Sequence, residues 1–271
     1  SCYVGIRSTS LGYKMKQYSN EAAVRGEPSY VWREGQQRRL QMMVSALPLH
    51  AGNRVLVDGC GLGLYMRELS KFYKSVHGLD IEISRLTSSV VDPELLVAGQ
   101  CENLPYADEC FDYVISHEVL EHVQDDNMAA REIVRVLRLP DRDNGIFGGR
   151  AVIFVPNRWY PVETHGIYWR DRYRFGNVPL INYLPNVLRD ILVPHVRAYM
   201  SSEIRSLFSG LQAHIVSHTV IFGGYDNLVS KRHFIGKMIR SGLQALESTS
   251  LKWLGLSHII VIEKTSPDLY D

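Results

Sequence analysis

Two acids and a run of alternating glycines hold the most legible chemistry in this chain. Asp58-Gly59-Cys60-Gly61-Leu62-Gly63 sets an acid directly before three glycines at every second position. Glycine tolerates positive φ and lets a ligand approach the backbone. The helix expected to follow offers unpaired N–H groups at its start. A second acid, Asp80, closes the next apolar run. An acid there can accept hydrogen bonds from both hydroxyls of a ribose, or stand as a solvated turn residue before Glu82. A dinucleotide fold wants G-x-G-x-x-G, which would put its third glycine at position 64. That position is Leu64, and the glycine is Gly63. Together with the acid at Asp58, this disfavours a pyrophosphate ligand. The loop also lacks the Lys-Ser/Thr pair of a triphosphate-binding loop.

A second constellation is Glu118, Glu121 and His122. Spacings of three and four predict one shared helical face. Carboxylate and imidazole ligands so placed can bind a divalent metal, and His165 could complete the set. The same acids also suit a helix N-terminus without any ion, so metal is not part of the primary assignment. His117 and His165 are the candidate proton-handling residues, since histidine titrates near neutrality. Either could equally be a hydrogen-bonded structural ring. Trp159, Tyr160, Tyr168 and Trp169 could wall an apolar acceptor pocket or form a small satellite core. Arg158, Arg170, Arg172 and Arg174, interleaved with those aromatics, could grip phosphate, stack on bases or bind a small anion. They could also be ordinary solvated charges.

The elements that must position these residues alternate. Leu40, Met43, Val44 and Leu47 give one apolar face of a helix starting near Gln36. Apolar runs at 54–58, 75–80, 95–98, 112–116 and 151–155 read as buried strands. Between them lie a helix presenting Tyr65, Leu69 and Phe72, and one from about 118 to 138 presenting Val119, Val123, Ala130, Ile133, Val134 and Leu137. This alternation predicts an α/β fold with a doubly wound parallel sheet. Residues 157–199 are aromatic-rich, punctuated by Pro and Gly, and without clear period. Such a stretch inside a compact domain is usually a lid or binding insert. A capped helix is expected at Ser201, strands at 213–222 and 257–262, and a helix carrying Phe234, Ile235, Met238, Ile239, Leu243 and Leu246. The expected organisation is an N-terminal helical cap over 1–50 and a main domain over 51–271, with the insert at 157–199.

The composition is that of an ordinary globular chain, with 45% hydrophobic and 22% charged residues. Thirty basic residues against 29 acidic ones give a net charge of +1. That balance offers no general attraction to nucleic acid. Cys2, Cys60, Cys101 and Cys110 lack the close spacing of a zinc or redox pair. Free thiols in a reducing, cytoplasmic compartment are therefore expected. No apolar run approaches the roughly 20 residues of a membrane span. The N-terminus shows no secretory signal pattern, though the first residue is Ser1.

One resemblance spans residues 54–156. Val55-Leu56-Val57-Asp58-Gly59-Cys60-Gly61-Leu62-Gly63, Gly78-Leu79-Asp80-Ile81, Ala98-Gly99-Gln100-Cys101-Glu102-Asn103-Leu104-Pro105-Tyr106 and Phe111-Asp112-Tyr113-Val114-Ile115-Ser116-His117-Glu118-Val119-Leu120-Glu121-His122-Val123 follow one another. The series resembles class I S-adenosylmethionine-dependent methyltransferases, and within them the broad group that includes quinone-pathway enzymes. The resemblance implies a seven-stranded Rossmann-like sheet of order 3-2-1-4-5-7-6, its last strand antiparallel. It implies S-adenosylmethionine as cofactor and S-adenosylhomocysteine as product. Gly59, Gly61 and Gly63 would pack on the methionine moiety, with Asp58, Cys60 and Ser116 shaping that site. Asp80 would hold the ribose and Ile81 would cover the adenine, with Cys101 and Glu102 at its edge. Gln100 stands where the family often has Asp, and would use its side-chain carbonyl. The expected reaction is in-line methyl transfer, O-directed, to a small acceptor that is apolar or glycosylated. Such transfer chiefly needs alignment and exclusion of water, and a base only if the acceptor must lose a proton early. The alternative is a metal-assisted RNA ribose 2′-O-methyltransferase using Glu118, Glu121, His122 and His165, which the Glu-x-x-Glu-His pattern resembles. That pattern also occurs widely in the family without a metal.

Overall fold

A computed structural model describes residues 31–48, 53–141, 143–170 and 172–266. The segment before 31, including Cys2, and the boundary expected near residue 50 lie outside them. Five parallel strands are β1 (Arg54–Asp58), β2 (Ser75–Asp80), β3 (Leu96–Ala98), β4 (Tyr113–His117) and β5 (Arg150–Pro156). Two more, β10 (Ala213–Ile221) and β11 (Ser257–Lys264), complete the sheet in the order β3-β2-β1-β4-β5-β11-β10. β11 runs antiparallel to both β5 and β10. The strand order reverses between β1, which pairs with β2, and β4 on its other side. A ligand crevice at the carboxyl ends of the strands is expected at such a reversal.

Strand alternation builds two cores, one per face. Leu56, Val114, Ala151, Ile153 and Val155 belong to one buried cluster. Val55, Val57, Tyr113, Ile115, Val152 and Phe154 belong to the other. Successive strand side chains point to opposite faces. Buried on both sides, these strands therefore read as unbroken apolar runs rather than alternating ones. Each fully buried aliphatic here contributes about 1.5–3 kcal/mol. The helix α1 (Glu34–Ala46) buries Leu40 and Met43, with Leu47 just beyond it, in the second cluster.

Several expected elements shift. The helix after β1, α2 (Leu64–Leu69), stops where the Ser70 hydroxyl donates to the Met66 carbonyl, so Phe72 is exposed rather than on its buried face. Next in order come α3 (Ile83–Thr87) and α4 (Asp126–Val136). The helix expected from about 118 is this α4. It begins only at Asp126, because the Asp125 side chain caps it by accepting from the Met128 N–H at 3.0 Å. Residues 118–125 are instead a turn, and Glu118 has φ 58°. Glu118, Glu121 and His122 therefore do not share a helical face.

The insert carries β6 (Val162–Glu163) paired with β9 (Val178–Pro179), the hairpin β7 (Ile167–Trp169) with β8 (Arg172–Arg174), and α5 (Asn186–Leu192). Then α6 (Ser201–Ser206) starts at Met200, whose N–H donates to Glu203 rather than being capped by a serine. After β10 come α7 (Asp226–Lys231) and α8 (His233–Ala245). α8 buries Gly236 and Arg240, the latter paired with Glu34 at 2.6 Å. Phe234, Ile235, Met238 and Ile239 face outward. No helix among the described residues is long and apolar enough to cross a membrane.

Candidate functional site

The glycine loop lies between β1 and α2, at the carboxyl end of the sheet. Gly59, Gly61 and Gly63 all have positive φ, which explains the residue type. Their open sides differ. A Cβ at Gly59 would lie 2.3 Å from Val119, so that glycine is dictated by packing. A Cβ at Gly61 would meet nothing within 4 Å. The loop thus presents bare backbone to open space at Gly61.

The acids converge there. Asp80 accepts the Gly61 N–H at 2.8 Å through Oδ2 and the Glu82 N–H at 2.9 Å through Oδ1. Each oxygen keeps a lone pair. Asp58 is buried, and Ser116 Oγ donates to its Oδ2 at 3.3 Å. Its Oδ1 is buried with no partner. Burial first, with the negative Asp80 and Glu102 adding to it, pushes the Asp58 carboxyl up to about 7. Three acids crowding one loop suit a ligand with positive charge, not a phosphate. Ile81 beside Asp80 is 42% exposed, an apolar surface with nothing over it. Glu102 Oε1 accepts the Gln124 N–H at 2.9 Å, and Cys101 is buried behind it. Gln100 and Asn103 form a one-bridge turn. Cys60, Cys101 and Cys110 are buried and form no disulfide among the described residues. Burial pushes the Cys60 thiol up to about 12, so it is unreactive.

Beyond β4 lies a polar cluster only partly foreseen. Arg39, on α1, donates to His117 Nε2 at 2.5 Å, to Glu118 Oε1 at 3.0 Å and to Ser257 Oγ at 3.2 Å. Its guanidinium also lies 5.7 Å from the centre of the Phe154 ring. Burial, reinforced by the Arg39 charge, depresses His117 to about 3. His117 is therefore a neutral ring whose Nε2 lone pair is already taken. Burial opposes ionisation of Glu118, but the Arg39 guanidinium, helped by a hydrogen bond from Glu121, outweighs it and holds the carboxyl at about 2. Glu121 is 1% exposed, and its carboxyl meets that of Glu118, with which it shares a hydrogen bond. Burial, then the adjacent Glu118 charge, holds its carboxyl well above the ordinary range.

His165 arrives from the insert. Its Nδ1 and its backbone N–H both meet Glu163 Oε1, at 3.0 and 2.9 Å. Arg189 on α5 donates to the other Glu163 oxygen at 3.0 Å, to Asn182 at 3.3 Å and to the Val196 carbonyl at 3.0 Å. His122 and His165 stand with ring centres 5.7 Å apart. One ligand atom each from Glu121, His122 and His165 lies within 4.8 Å of the others. Glu118 is not in that group.

The four aromatics divide. Trp159 packs on Tyr183 and Trp253, and the Tyr160 hydroxyl meets that of Tyr225 at 3.4 Å. Tyr168 packs on Tyr173 and His195. Trp169 is 48% exposed near the tip of the β7–β8 hairpin. Arg158 is buried and donates to the Leu184 carbonyl at 2.6 Å and Asn186 at 3.0 Å. It is a brace for the insert, not a phosphate grip. Arg170, Arg172 and Arg174 are exposed. Sequence reasoning missed Arg39, Glu163, Arg189 and Ser257, which gain meaning only from partners up to 218 positions away. An acid two residues before a histidine, Glu163 before His165, was the one local signal.

Residues 56–140 match the family described as a methyltransferase domain. A demethylmenaquinone methyltransferase of Mycolicibacterium paratuberculosis is 30% identical over 163 residues, covering 60% of this chain and 64% of that protein. A sterol 24-C-methyltransferase of Schizosaccharomyces pombe is 33% identical over 106 residues, 36% of this chain and 27% of that protein. The chain thus spans from about a quarter to just under two thirds of the curated relatives it matches. The crystal structure of an S-adenosylmethionine-dependent methyltransferase from Mesorhizobium loti shares the fold, with a TM-score of 0.55 at 14% identity, over 85% of this chain and 98% of that one.

Proposed function

We propose that this chain, whose residues 56–140 match a methyltransferase domain and whose sheet has the fold of an S-adenosylmethionine-dependent methyltransferase, methylates a small-molecule acceptor, most simply at oxygen. The observation that carries the reading is the buried, unpartnered Asp58 Oδ1 in a loop whose Gly61 opens to space. S-adenosylmethionine fits this donor set, because it carries both a sulfonium and an ammonium. A buried acceptor without a partner is costly, and a cationic ligand would relieve it. When bound, the cofactor supplies an electrophilic methyl group for in-line displacement by the acceptor.

The chain's own residues bind, orient and exclude water. Asp58, with Ser116 fixing its carboxylate, would face the cationic end. Gly59, Cys60, Gly61 and Gly63 would give the ligand its backbone floor. Asp80 would accept the ribose hydroxyls on its spare lone pairs, and Ile81 would cover the base, whose edge Gln100, Cys101 and Glu102 would meet. Of the two candidate histidines, His117 is spent on Arg39. His165 donates from Nδ1 to Glu163, which leaves Nε2 as the ring's lone-pair atom, and one ligand atom of the ring lies within 4.8 Å of Glu121 and His122. His165 is thus the candidate histidine that keeps a ring nitrogen unspent.

Residues 1–50 would act as a cap on a domain spanning 51–271, with 157–199 as its acceptor side. The exposed Trp159 and Trp169, together with the inward turn of Arg158, favour an apolar small molecule over RNA. Titration with S-adenosylhomocysteine tests the cofactor half. Asp80→Ala should weaken binding by about 1–3 kcal/mol through loss of a buried acceptor, and unchanged affinity would sink the ribose assignment. Transfer of labelled methyl tests the other half. Label should enter a solvent-extractable product, and label found only in precipitable RNA would overturn the small-molecule reading.

A further inference from the structure

We propose that Glu121, His122 and His165 form a binding site for one divalent transition-metal cation, with Glu163 and Arg189 as the residues that set the His165 ring. The site does not depend on the methyl-transfer reading.

Three observations carry it. The first is geometric. A carboxylate oxygen and two imidazole nitrogens from two distant segments come within 4.8 Å of one another. Ligands around an ion at about 2.0–2.2 Å stand roughly 3.4 Å apart, so closure needs movements of about an ångström. The second is polar accounting. Glu121 is 1% exposed and its carboxyl meets only another acid, Glu118, while the buried His122 Nδ1 has no hydrogen-bond partner. Buried polar groups are normally satisfied, and exceptions call for an unseen partner such as an ion. Glu118 meets Glu121 only as a second acid, and its Oε1 already accepts from Arg39 and Ser257.

The third observation is the support behind His165. Glu163 Oε1 faces His165 Nδ1 at 3.0 Å, and its other oxygen is pinned by Arg189 at 3.0 Å, in a pair 5% and 2% exposed. The His165 carbonyl accepts from Tyr173 at 2.6 Å. A carboxylate donated to by one imidazole nitrogen fixes the tautomer and leaves the other nitrogen as a lone-pair donor. That is the usual arrangement behind a metal-bound histidine. The set of one oxygen and two nitrogens suits manganese, iron, cobalt or zinc rather than calcium, which prefers six to eight oxygens.

Cobalt(II) titration of the chelator-stripped full chain, read by its visible absorption, tests this directly. The wild type should bind one equivalent. His165→Ala and Glu121→Gln should each weaken binding at least 100-fold, and Glu163→Gln by about 10–100-fold, as expected for a group behind the ligand. Melting gives a second readout that a packing role would not produce. Without metal, Glu121→Gln should melt close to the wild type, because burial already keeps the carboxyl neutral and the amide has its shape. With cobalt, the wild type should rise and the variant should not. S-adenosylhomocysteine affinity, measured in each variant, reports separately on the folded cofactor loop. No absorption and no melting shift in the wild type at millimolar cobalt would overturn the site. So would equal cobalt affinity in the wild type and both ligand variants.

Discussion

Arg39→Met should cost the fold about 2–3 kcal/mol. Methionine keeps an apolar stem against Phe154 but removes the guanidinium, so the loss isolates charge and hydrogen bonding. Arg39 makes three polar contacts, to His117, Glu118 and Ser257. The ion pair is partly buried, with side chains 16% and 25% exposed. A hydrogen bond to a charged group is worth about 1.5–3 kcal/mol. Breaking a fully buried pair costs about 3–5 kcal/mol, and partial exposure brings the figure down. Without Arg39, Glu118 faces Glu121 with no fixed cation beside it. In a chain this long, 2–3 kcal/mol lowers Tm by roughly 5–10 °C. The assay is thermal unfolding with chelator present, so that no metal substitutes for the lost charge. A double-mutant cycle with Glu118→Gln separates the pair from each residue's own packing, and should show coupling of at least about 1 kcal/mol. Additivity within about 0.5 kcal/mol would refute the idea that α1 is tied to the site through this charge.

Gly61→Val should abolish S-adenosylhomocysteine binding while costing only about 1–2 kcal/mol of stability from its φ of 54°; calorimetry showing near-normal affinity would mean that the open side of the loop is not the ligand side. Asp58 titrates near 7 in the fold but near 3.9 in an unfolded chain, so between those values the fold holds the extra proton. The Asp58 contribution to ligand-free stability should therefore be greatest below about pH 4 and fall by up to about 4 kcal/mol as pH rises toward 7. Asp58→Asn should flatten that slope, and a profile identical to wild type would remove Asp58 as its source. Arg189→Met leaves Glu163 buried without its cation and should cost about 3–5 kcal/mol. Limited proteolysis should then cut preferentially within 157–199, and an unchanged digestion pattern would show that the pair does not hold the insert.

The central sheet and the glycine loop were legible in the chain itself. β1, β2, β4 and β5 are apolar runs because they are buried on both faces, and such runs announce themselves without context. Asp58, Gly61 and Asp80 were legible for a related reason. Each occupies a strand end or tight turn, where local backbone geometry restricts the residue type. The helix expected from 118 failed because periodicity continues through the turn at 118–125, while the Asp125 cap and the positive φ of Glu118 decide the true start. The exposed face of α8 was likewise invisible. Periodicity shows that a face is apolar, not that anything covers it.

Sequence by itself determined the α/β class, the strand-end loop and the acids that surround it, since these follow from short-range rules of burial and turn geometry. Tertiary structure alone decided the rest. It turned His117 into an acceptor for Arg39, withdrew Arg158 into the insert, and set the buried Glu121 beside two imidazoles. It also brought Glu163 and Arg189 together behind His165. A buried charge is defined by what stands within a few ångströms of it, and those neighbours come from parts of the chain that no local pattern connects.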